Sequence, residues 1–255
     1  MRKNRGLIGL LIIFIIIFVS ALAMTVRALL PYLEAGSEYK KLEESYVQEV
    51  PEKQQNKVAE SSQTQELCPI AVNWKELKET NPDIVGWIYG EDTKINYPVV
   101  HGKDNTFYLT HMADRSKNSS GSIFMDCRNT ERSEFSNEIL YGHHMKNGSM
   151  FAELQKYKSQ EYYEAHSCFY YLTETGNYRL EILRAGIITG DSELYHLAFE
   201  SQEEREAYVK RWDGKSKIVP VFSEKNDTPL MTLSTCSYET KNARFVVQGQ
   251  LIRMD

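Results

Sequence analysis

The chain opens with a long apolar run, which is followed by a polar segment. Residues 6–26 carry no charge and are rich in Leu, Ile and Phe; three basic residues precede them and Arg27 closes the run. At about 1.5 Å per residue the run spans roughly 30 Å, the thickness of the hydrocarbon core of a bilayer. A cleaved signal peptide has a shorter apolar core, about 7–15 residues, and a small-x-small cleavage site, which residues 20–23 supply only weakly. We therefore predict an uncleaved membrane anchor over residues 1–27. Its basic end stays in the cytoplasm and the rest of the chain lies outside.

Residues 28–72 are predicted to form an extracytoplasmic spacer. From residue 35 to about residue 66 the segment is polar and shows little apolar periodicity. Leu42, Tyr46 and Val50 recur at i, i+4 and i+8, the spacing of one helical face, so part of the spacer is predicted to be helical. The remainder is typical of solvated chain that holds a folded domain away from the bilayer.

The folded part is predicted to span residues 73–255 and to consist mostly of β-strands. It begins with a capping-box pattern, in which Asn73 is followed three residues later by Glu76. Apolar helical patches at 150–157, 159–165 and 201–212 interrupt the strands, and the last opens with a second capping box. Many short strands with inserted helices favour a mostly antiparallel barrel or sandwich. The predicted strands are 85–89, 95–100, 122–126, 138–142, 167–172, 178–189, 217–222, 230–236 and 244–252.

Charge and cysteine content narrow the classes of function. The net charge of −5 and the pI near 5.8 supply no basic field, so nucleic acid is not a predicted partner. The four cysteines form no CxxC pair and have no metal-ligand spacing, and the sequence gives no disulfide connectivity. Cys127 and Cys168 can equally be small buried hydrophobic residues.

Cys236 is a candidate nucleophile. An apolar strand carries it at its end, in Thr232-Leu-Ser-Thr-Cys236. A nucleophilic thiol needs a base or a cation beside it to populate the thiolate. The pair His143–His144 follows the strand 138–142, and Gly142 permits a sharp turn there. The residues alone do not separate the two histidines, whereas the other four (His101, His111, His166, His196) are interpreted as surface residues.

Arg244 opens the strand that follows Cys236. A short loop between the two strands would place both side chains at the same end of the sheet. A guanidinium group there could hold the carbonyl oxygen of a substrate, or the oxyanion that forms on it.

These features together resemble the sortase family of Gram-positive bacteria over roughly residues 73–253. Several further stretches are similar to its class B branch: Asn81-Pro-Asp-Ile-Val-Gly-Trp-Ile, Ile95-Asn-Tyr-Pro-Val-Val, Asp104-Asn-Thr-Phe-Tyr-Leu, Gly121-Ser-Ile-Phe-Met-Asp and Ile139-Leu-Tyr-Gly-His-His-Met. The resemblance implies a mostly β fold. Its core is a closed eight-stranded sortase-type β-barrel with N-terminal helices and an inserted helix, at 201–212, before the strand that leads to Cys236.

The resemblance also implies a membrane-anchored cysteine transpeptidase. Matched by motif, the catalytic residues are His143, Cys236 and Arg244, because the family's histidine directly follows the glycine. The implied reaction cleaves surface proteins within a C-terminal sorting signal similar to Asn-Pro-x-Thr-Gly or Pro-Pro-x-Thr-Gly. The cysteine forms a thioester with Thr, and an amine of the peptidoglycan cross-bridge or of lipid II releases the product.

Substrate contacts are predicted for four further residues. Ser234 lies on the same strand face as Cys236 by the two-residue period, so it should line the cleft. Asn105 and Leu109 match positions that line the family's sorting-signal groove. Tyr195 lies in the segment that forms a groove wall in class B. No cofactor and no metal are predicted, since Glu203, Glu204 and Glu206 are interpreted as the solvated face of a helix.

Other interpretations were weighed against this one. Papain-like peptidases place the cysteine before the histidine, on a helix, and L,D-transpeptidases carry a Ser-His-Gly-x-x-Asn type of signature that is absent here. Within the family, a pilus-polymerising sortase is the alternative. Outside it, the alternative is a non-catalytic anchored binding domain in which Cys236 is buried and inert.

Overall fold

The structure, a computed structural model, describes residues 3–51, 67–129, 132–237 and 242–254, and the side chains from residue 9 onward. Its α-helices are α1 (Lys3–Tyr46), α2 (Trp74–Thr80), α3 (Gln160–Ala165) and α4 (Gln202–Lys210), and 3-10 helices span Phe107–Leu109 and Ala152–Lys158. The strands are β1 (Val47–Glu49), β2 (Ile70–Val72), β3 (Ile84–Tyr89), β4 (Asn96–His101), β5 (Ile123–Met125), β6 (Asn137–Tyr141), β7 (Cys168–Thr173), β8 (Gly176–Thr189), β9 (Leu230–Cys236) and β10 (Ala243–Arg253).

Eight strands close into a barrel in the order β10-β8-β7-β3-β4-β5-β6-β9. The pairs β4–β5 and β6–β9 are parallel and the other pairs are antiparallel. Closure pairs every strand on both sides, so the barrel has no free edge. Trp87, Phe169 and Phe245 are completely buried in its core. The predicted closed eight-stranded barrel is confirmed.

The predicted strand at 217–222 is wrong. The chain bridges to β8 only through Ser216, opposite Gly186, and then continues without regular structure. Pro220 has no backbone N–H and cannot take part in a ladder. Val219 and Val221, which supported the strand pattern, are 73% and 61% exposed. Apolar composition was misleading here because these side chains bury little surface.

Helix α4 lies between β8 and β9, where the inserted helix was predicted. Its predicted N-cap forms, because Glu204 N donates to Ser201 Oγ at 3.3 Å. The Glu204 carboxylate accepts from the backbone N–H of Glu200, one residue before the N-cap, at 2.6 Å. The helix buries Arg205 completely, and this guanidinium donates to the backbone carbonyls of residues 134, 225, 226 and 228. It thereby fixes the segment that leads into β9.

Helix α1 joins a membrane-type segment to the barrel. From Gly9 to Tyr46 it is long and apolar enough to cross a membrane, by length and composition, with a mean hydropathy of 2.9 in its most apolar window. Farther along, Ala35, Tyr39 and Leu42 are buried against the barrel, and Tyr39 Oη donates to the Gly121 carbonyl at 2.6 Å.

The first part of the predicted spacer is therefore packed on the domain rather than solvated. Helix α1 ends at Tyr46, and Val50 lies beyond it; β1 and β2 then pair in a small separate sheet. The segment packs on the barrel because apolar side chains of α1 are buried in contact with the hydrophobic core. Residues 52–66 of the spacer lie outside the described residues. The domain limits at 27 and 72 stay predictions.

Candidate active site

Three neighbouring strands end at the same rim of the barrel. Cys236, the last residue of β9, lies directly opposite Arg244 on β10 in the antiparallel register. Strand β6 runs parallel to β9 on its other side, with Tyr141 opposite Ser234. The backbone N–H of residue 142 continues this pairing by donating to the Ser234 carbonyl at 3.1 Å. The residue after it, His143, therefore leaves β6 beside the end of β9.

Gly142 is required by close approach. A Cβ atom at this position would lie 2.5 Å from Ile123 Cδ1 and 2.7 Å from Phe151 Cδ2. Both neighbours are completely buried. The absence of a side chain lets β6 come close to them and turn, and Phe151 N then donates to the His143 carbonyl at 3.0 Å. The glycine that the sequence singled out thus sets where His143 emerges.

The three strand ends open into a cleft of about 290 Å³. It contains all the residues predicted for catalysis or substrate binding. Their individual roles stay predictions. The lining residues are Asn105, Leu109, Phe124, Arg128, Tyr141, Gly142, His143, Gly190, Tyr195, Ser234, Thr235, Cys236 and Arg244.

A backbone carbonyl fixes the orientation of the His143 ring. Its Nε2 lies 2.7 Å from the carbonyl oxygen of Leu109. A carbonyl can only accept, so Nε2 carries the proton in this bond. Nδ1 is then the ring nitrogen that can exchange a proton with a reactant. Leu109 thus contributes its backbone as well as the side chain that was predicted to line the groove.

His144 is placed differently from its neighbour. Its Nδ1 donates to the Cys236 carbonyl at 3.1 Å, and Gln155 Nε2 donates to the same oxygen at 3.3 Å. His144 does not line the cleft that contains His143 and Cys236. The structure therefore separates two histidines that residue chemistry left equivalent: one lines the cleft and the other supports the cysteine's backbone.

Tyr195 and Ser234 form a polar pair in the cleft wall. Their hydroxyl oxygens are 2.6 Å apart, and Ser234 is 1% exposed. Burial raises the pKa of Tyr195, and the bond with Ser234 and the positive charge of Arg244 oppose this increase, so that the pKa is about 12. The tyrosine hydroxyl is therefore neutral and can donate or accept.

Sequence reasoning missed a second polar group in the wall. Arg128 donates through Nε and Nη2 to both oxygens of the buried Asp126, at 2.9 and 2.8 Å, and Tyr141 Oη donates to the same carboxylate at 2.9 Å. Burial raises the pKa of Asp126, but the bonds from Arg128 and Tyr141 hold it at about 2. One signal was available, since Tyr141 directly precedes the Gly142–His143 pair.

Asn105 is also held in place. Its side-chain oxygen accepts from Cys127 N at 2.8 Å, which ties the loop after β4 to the chain beyond β5.

In the described ranges no group of three or more His, Cys, Asp and Glu residues is arranged to hold a metal ion. Burial raises the pKa of the Cys168 thiol to about 11, and this thiol does not line the cleft.

A closed eight-stranded barrel with a thiol, an imidazole and a guanidinium at one rim defines a sortase-type enzyme. The family model described as "Sortase domain" matches residues 88–252. The chain belongs to the sortase family.

Within that family the chain is most like class B. It is 37% identical over 180 residues to sortase B of Listeria monocytogenes, which covers 70% of this chain and 73% of that one. It is 31% identical over 250 residues to sortase B of Staphylococcus aureus, with 96% and 95% covered.

Solved structures agree with this placement. The Staphylococcus aureus sortase B-substrate complex matches with a TM-score of 0.73 at 30% identity, covering 89% of this chain and all 100% of that one. A sortase B complexed with triglycine matches with a TM-score of 0.70 at 31% identity, covering 87% and 99%. The chain is a class B-like sortase, a transpeptidase by family.

Proposed function

We propose that this protein cleaves a C-terminal sorting signal between Thr and Gly and transfers the protein to a cell-wall peptidoglycan amine, with Cys236 as the nucleophile. The observation that carries the proposal is the register of three adjacent strand ends. Cys236 faces Arg244 across β9 and β10, and His143 leaves β6 in the same cleft.

In the first step the Cys236 thiolate attacks the carbonyl carbon of the substrate's Thr. The negative charge that develops on the carbonyl oxygen is stabilised by Arg244, whose guanidinium offers several N–H donors in a plane. His143 gives a proton to the departing Gly nitrogen, the C–N bond breaks and a thioester remains on Cys236. Nδ1 is the atom for this transfer, because Nε2 is bonded to the Leu109 carbonyl.

In the second step an amine attacks the thioester carbonyl. His143 takes the proton from the attacking nitrogen, the C–S bond breaks and the thiolate leaves. One histidine serves as acid and then as base, so no other proton donor is needed in the cleft. Thr becomes linked to the acceptor through a new amide bond.

The cleft wall supports recognition of an extended peptide of the Asn-Pro-x-Thr-Gly or Pro-Pro-x-Thr-Gly type. Leu109 and the ring of Tyr195 offer apolar surface, while Asn105 and the Tyr195–Ser234 pair offer hydrogen bonds. A related sortase B has been solved with its substrate and another with triglycine. By analogy the acceptor here is an N-terminal glycine-type amine of the peptidoglycan cross-bridge or of lipid II.

We further propose that α1 anchors the enzyme in the cell membrane by a single pass. Its apolar segment has the length and hydropathy of a membrane span. The basic residues before it keep the N-terminus in the cytoplasm, so the barrel and its cleft face the cell surface. Substrates with an apolar tail after the sorting signal would reach the cleft at the same membrane.

The test uses the full chain in detergent micelles with fluorogenic peptides that carry either motif. Cleavage between Thr and Gly is expected, together with a thioester on Cys236 in acid-quenched mass spectra. Cys236→Ala should abolish both signals, whereas Cys168→Ala, which removes a half-buried thiol outside the cleft, should leave cleavage unchanged. Cleavage that persists in Cys236→Ala contradicts the mechanism. Peptide binding without any cleavage by the unaltered chain would instead support the anchored binding domain.

The acceptor is tested in the same assay. Triglycine should convert the hydrolysis product into one in which Thr is joined to triglycine, because its amine competes with water for the thioester. A peptide whose only free amine is a lysine side chain is the comparison. Preference for the lysine amine would favour the pilus-polymerising alternative over wall anchoring.

A further inference from the structure

A basic cleft of about 210 Å³ lies beside the anchor helix, separate from the active-site cleft. Lys94, Lys146 and Lys156 line it together with His144 and Glu153. Lys156 Nζ is paired with Glu153 at 2.5 Å. Among the described residues, neither Lys94 nor Lys146 forms an ion pair, and both are exposed. The cleft therefore carries surplus positive charge in a chain whose net charge is −5.

An apolar cavity of about 650 Å³ adjoins this cleft. One wall is formed by four residues of α1, which are Ala28, Leu29, Tyr32 and Leu33. The other wall is formed by Lys146 and Asn147. Leu29 and Leu33 are 53% and 69% exposed. Lys146 lines both spaces, so the cavity and the basic cleft meet at its side chain.

The position of the cavity along α1 gives its depth in the proposed membrane. The uncharged run ends at residue 26 and Arg27 follows. At about 1.5 Å per residue, positions 28–33 lie roughly 3–10 Å beyond that run. The headgroup layer of one leaflet is about 5–8 Å thick. Lys146 lines the cavity together with positions 28–33 and so lies at this depth, whereas Lys94 lines a space beside Ala35 and Tyr39 of α1, farther from the proposed membrane.

We propose that the two spaces together bind one anionic phospholipid of the outer leaflet. Its phosphate lies between Lys94 and Lys146, and its glycerol backbone and first acyl carbons pack against Ala28 and Leu29. An apolar cavity alone does not specify its ligand, and two lysines alone could bind any anion. The combination, at headgroup depth, requires an anionic head with an apolar tail. This inference rests on the proposed membrane anchoring and does not depend on the proposed catalytic mechanism.

The test is a lipid titration of the full chain in detergent micelles, read by native mass spectrometry. The probes are dioctanoyl-phosphatidylglycerol, dioctanoyl-phosphatidylcholine with the same tails, and inorganic phosphate. Each lysine near an anionic headgroup contributes about fivefold in affinity, so the anionic lipid should bind roughly 25-fold more tightly than the zwitterionic one. Inorganic phosphate should bind far more weakly than either lipid.

The double variant Lys94→Gln/Lys146→Gln should bind both lipids equally. Lys103→Gln/Lys210→Gln removes two exposed lysines outside both spaces and should keep the 25-fold preference (about two factors of five). All four side chains are exposed, so folding is expected to be unchanged, as circular dichroism would show.

Three outcomes would overturn the inference. These are equal affinity of the unaltered chain for the two lipids, a preserved preference in Lys94→Gln/Lys146→Gln, and phosphate binding as tight as that of the anionic lipid. Cys236→Ala should bind lipid normally. A failure of the proposed catalysis is therefore distinguishable from a failure of this lipid site, since the titration involves no cleavage.

Discussion

Gly142→Ala is the substitution that best tests how the barrel positions its histidine. The new methyl group would lie 2.5 Å from Ile123 Cδ1 and 2.7 Å from the Phe151 ring. Carbon atoms prefer separations of about 3.5–4.0 Å, so one side must shift by roughly 1 Å. Ile123 and Phe151 are completely buried, so their side chains can yield only by repacking the core around them. The end of β6 must therefore move, and His143 moves with it.

The cost follows from this geometry. Overpacking of this kind lowers the free energy of unfolding by about 1–3 kcal/mol. For a chain of this size that lowers the melting temperature by about 2–12 °C. A displacement of about 1 Å in a catalytic group can lower the rate about 100-fold. We therefore expect Gly142→Ala to lose far more peptide-cleaving activity than its modest destabilisation explains.

The assay combines thermal unfolding with kcat/KM for the fluorogenic peptide, both on the full chain in micelles. Gly36→Ala is the matched control, since its added Cβ would meet nothing within 4 Å apart from the adjoining residues and backbone of its own helix. Ile123→Val removes one clashing carbon. Alone it should cost about 0.5–1.5 kcal/mol, and in the Gly142→Ala background it should cost less or be favourable. Native stability and native kcat/KM in Gly142→Ala would refute the reasoning.

Three further predictions concern the same cleft. His143→Ala should lower kcat/KM by about 10²–10⁴-fold. His144→Ala loses one of two donors to the Cys236 carbonyl, so its kcat/KM should stay within about tenfold of the native value. A larger loss in His144→Ala than in His143→Ala would exchange the roles of the two histidines. Arg244→Lys keeps the positive charge but loses the planar set of guanidinium N–H donors. We therefore expect kcat to fall about 10²–10³-fold, with the thioester still detectable. An unchanged kcat would argue against stabilisation of the oxyanion by Arg244. Asp126 has a pKa lowered from 3.8 to about 2, so it stabilises the fold above about pH 4 and that stability is lost as pH falls through 2. Denaturant titrations should show about 1–2 kcal/mol of this loss in the native chain but not in Asp126→Asn.

The residues predicted for catalysis meet in one cleft because each lies at or next to a strand end. Strand β9 was predicted with its observed bounds, and β6 within a residue at each end. A predicted apolar strand that stops at Cys236, and another that stops at Gly142, already indicate where the side chains leave the sheet. Closure of the barrel was not available from alternation, which does not specify strand order, and came only from the family resemblance.

Contacts between segments that are far apart in the chain could not be predicted from the sequence. The bond between His143 and the Leu109 carbonyl joins residues far apart in the chain, and so does the bond between His144 and the Cys236 carbonyl. No periodicity encodes such pairs, so adjacent histidines could not be separated by residue chemistry. The buried Asp126 was missed for the same reason, because a carboxylate looks solvated until its partners are known.

The packing of α1 changes how the anchor and the catalytic domain are related. A flexible spacer would let the barrel sample many distances from the membrane. A continuous helix with Ala35, Tyr39 and Leu42 buried against the domain instead fixes one height and one orientation. Met150, near the end of the loop after the two histidines, donates its backbone N–H to Tyr97, whose ring contacts Tyr39 of the helix. Through these contacts, the docked part of α1 supports the loop that leads away from His143 and His144, and in the proposed anchored state it sets the height of that loop above the membrane. Substitutions that disrupt the packing of the buried Ala35, Tyr39 or Leu42 should therefore affect catalysis, even though no described residue of α1 lines the active-site cleft.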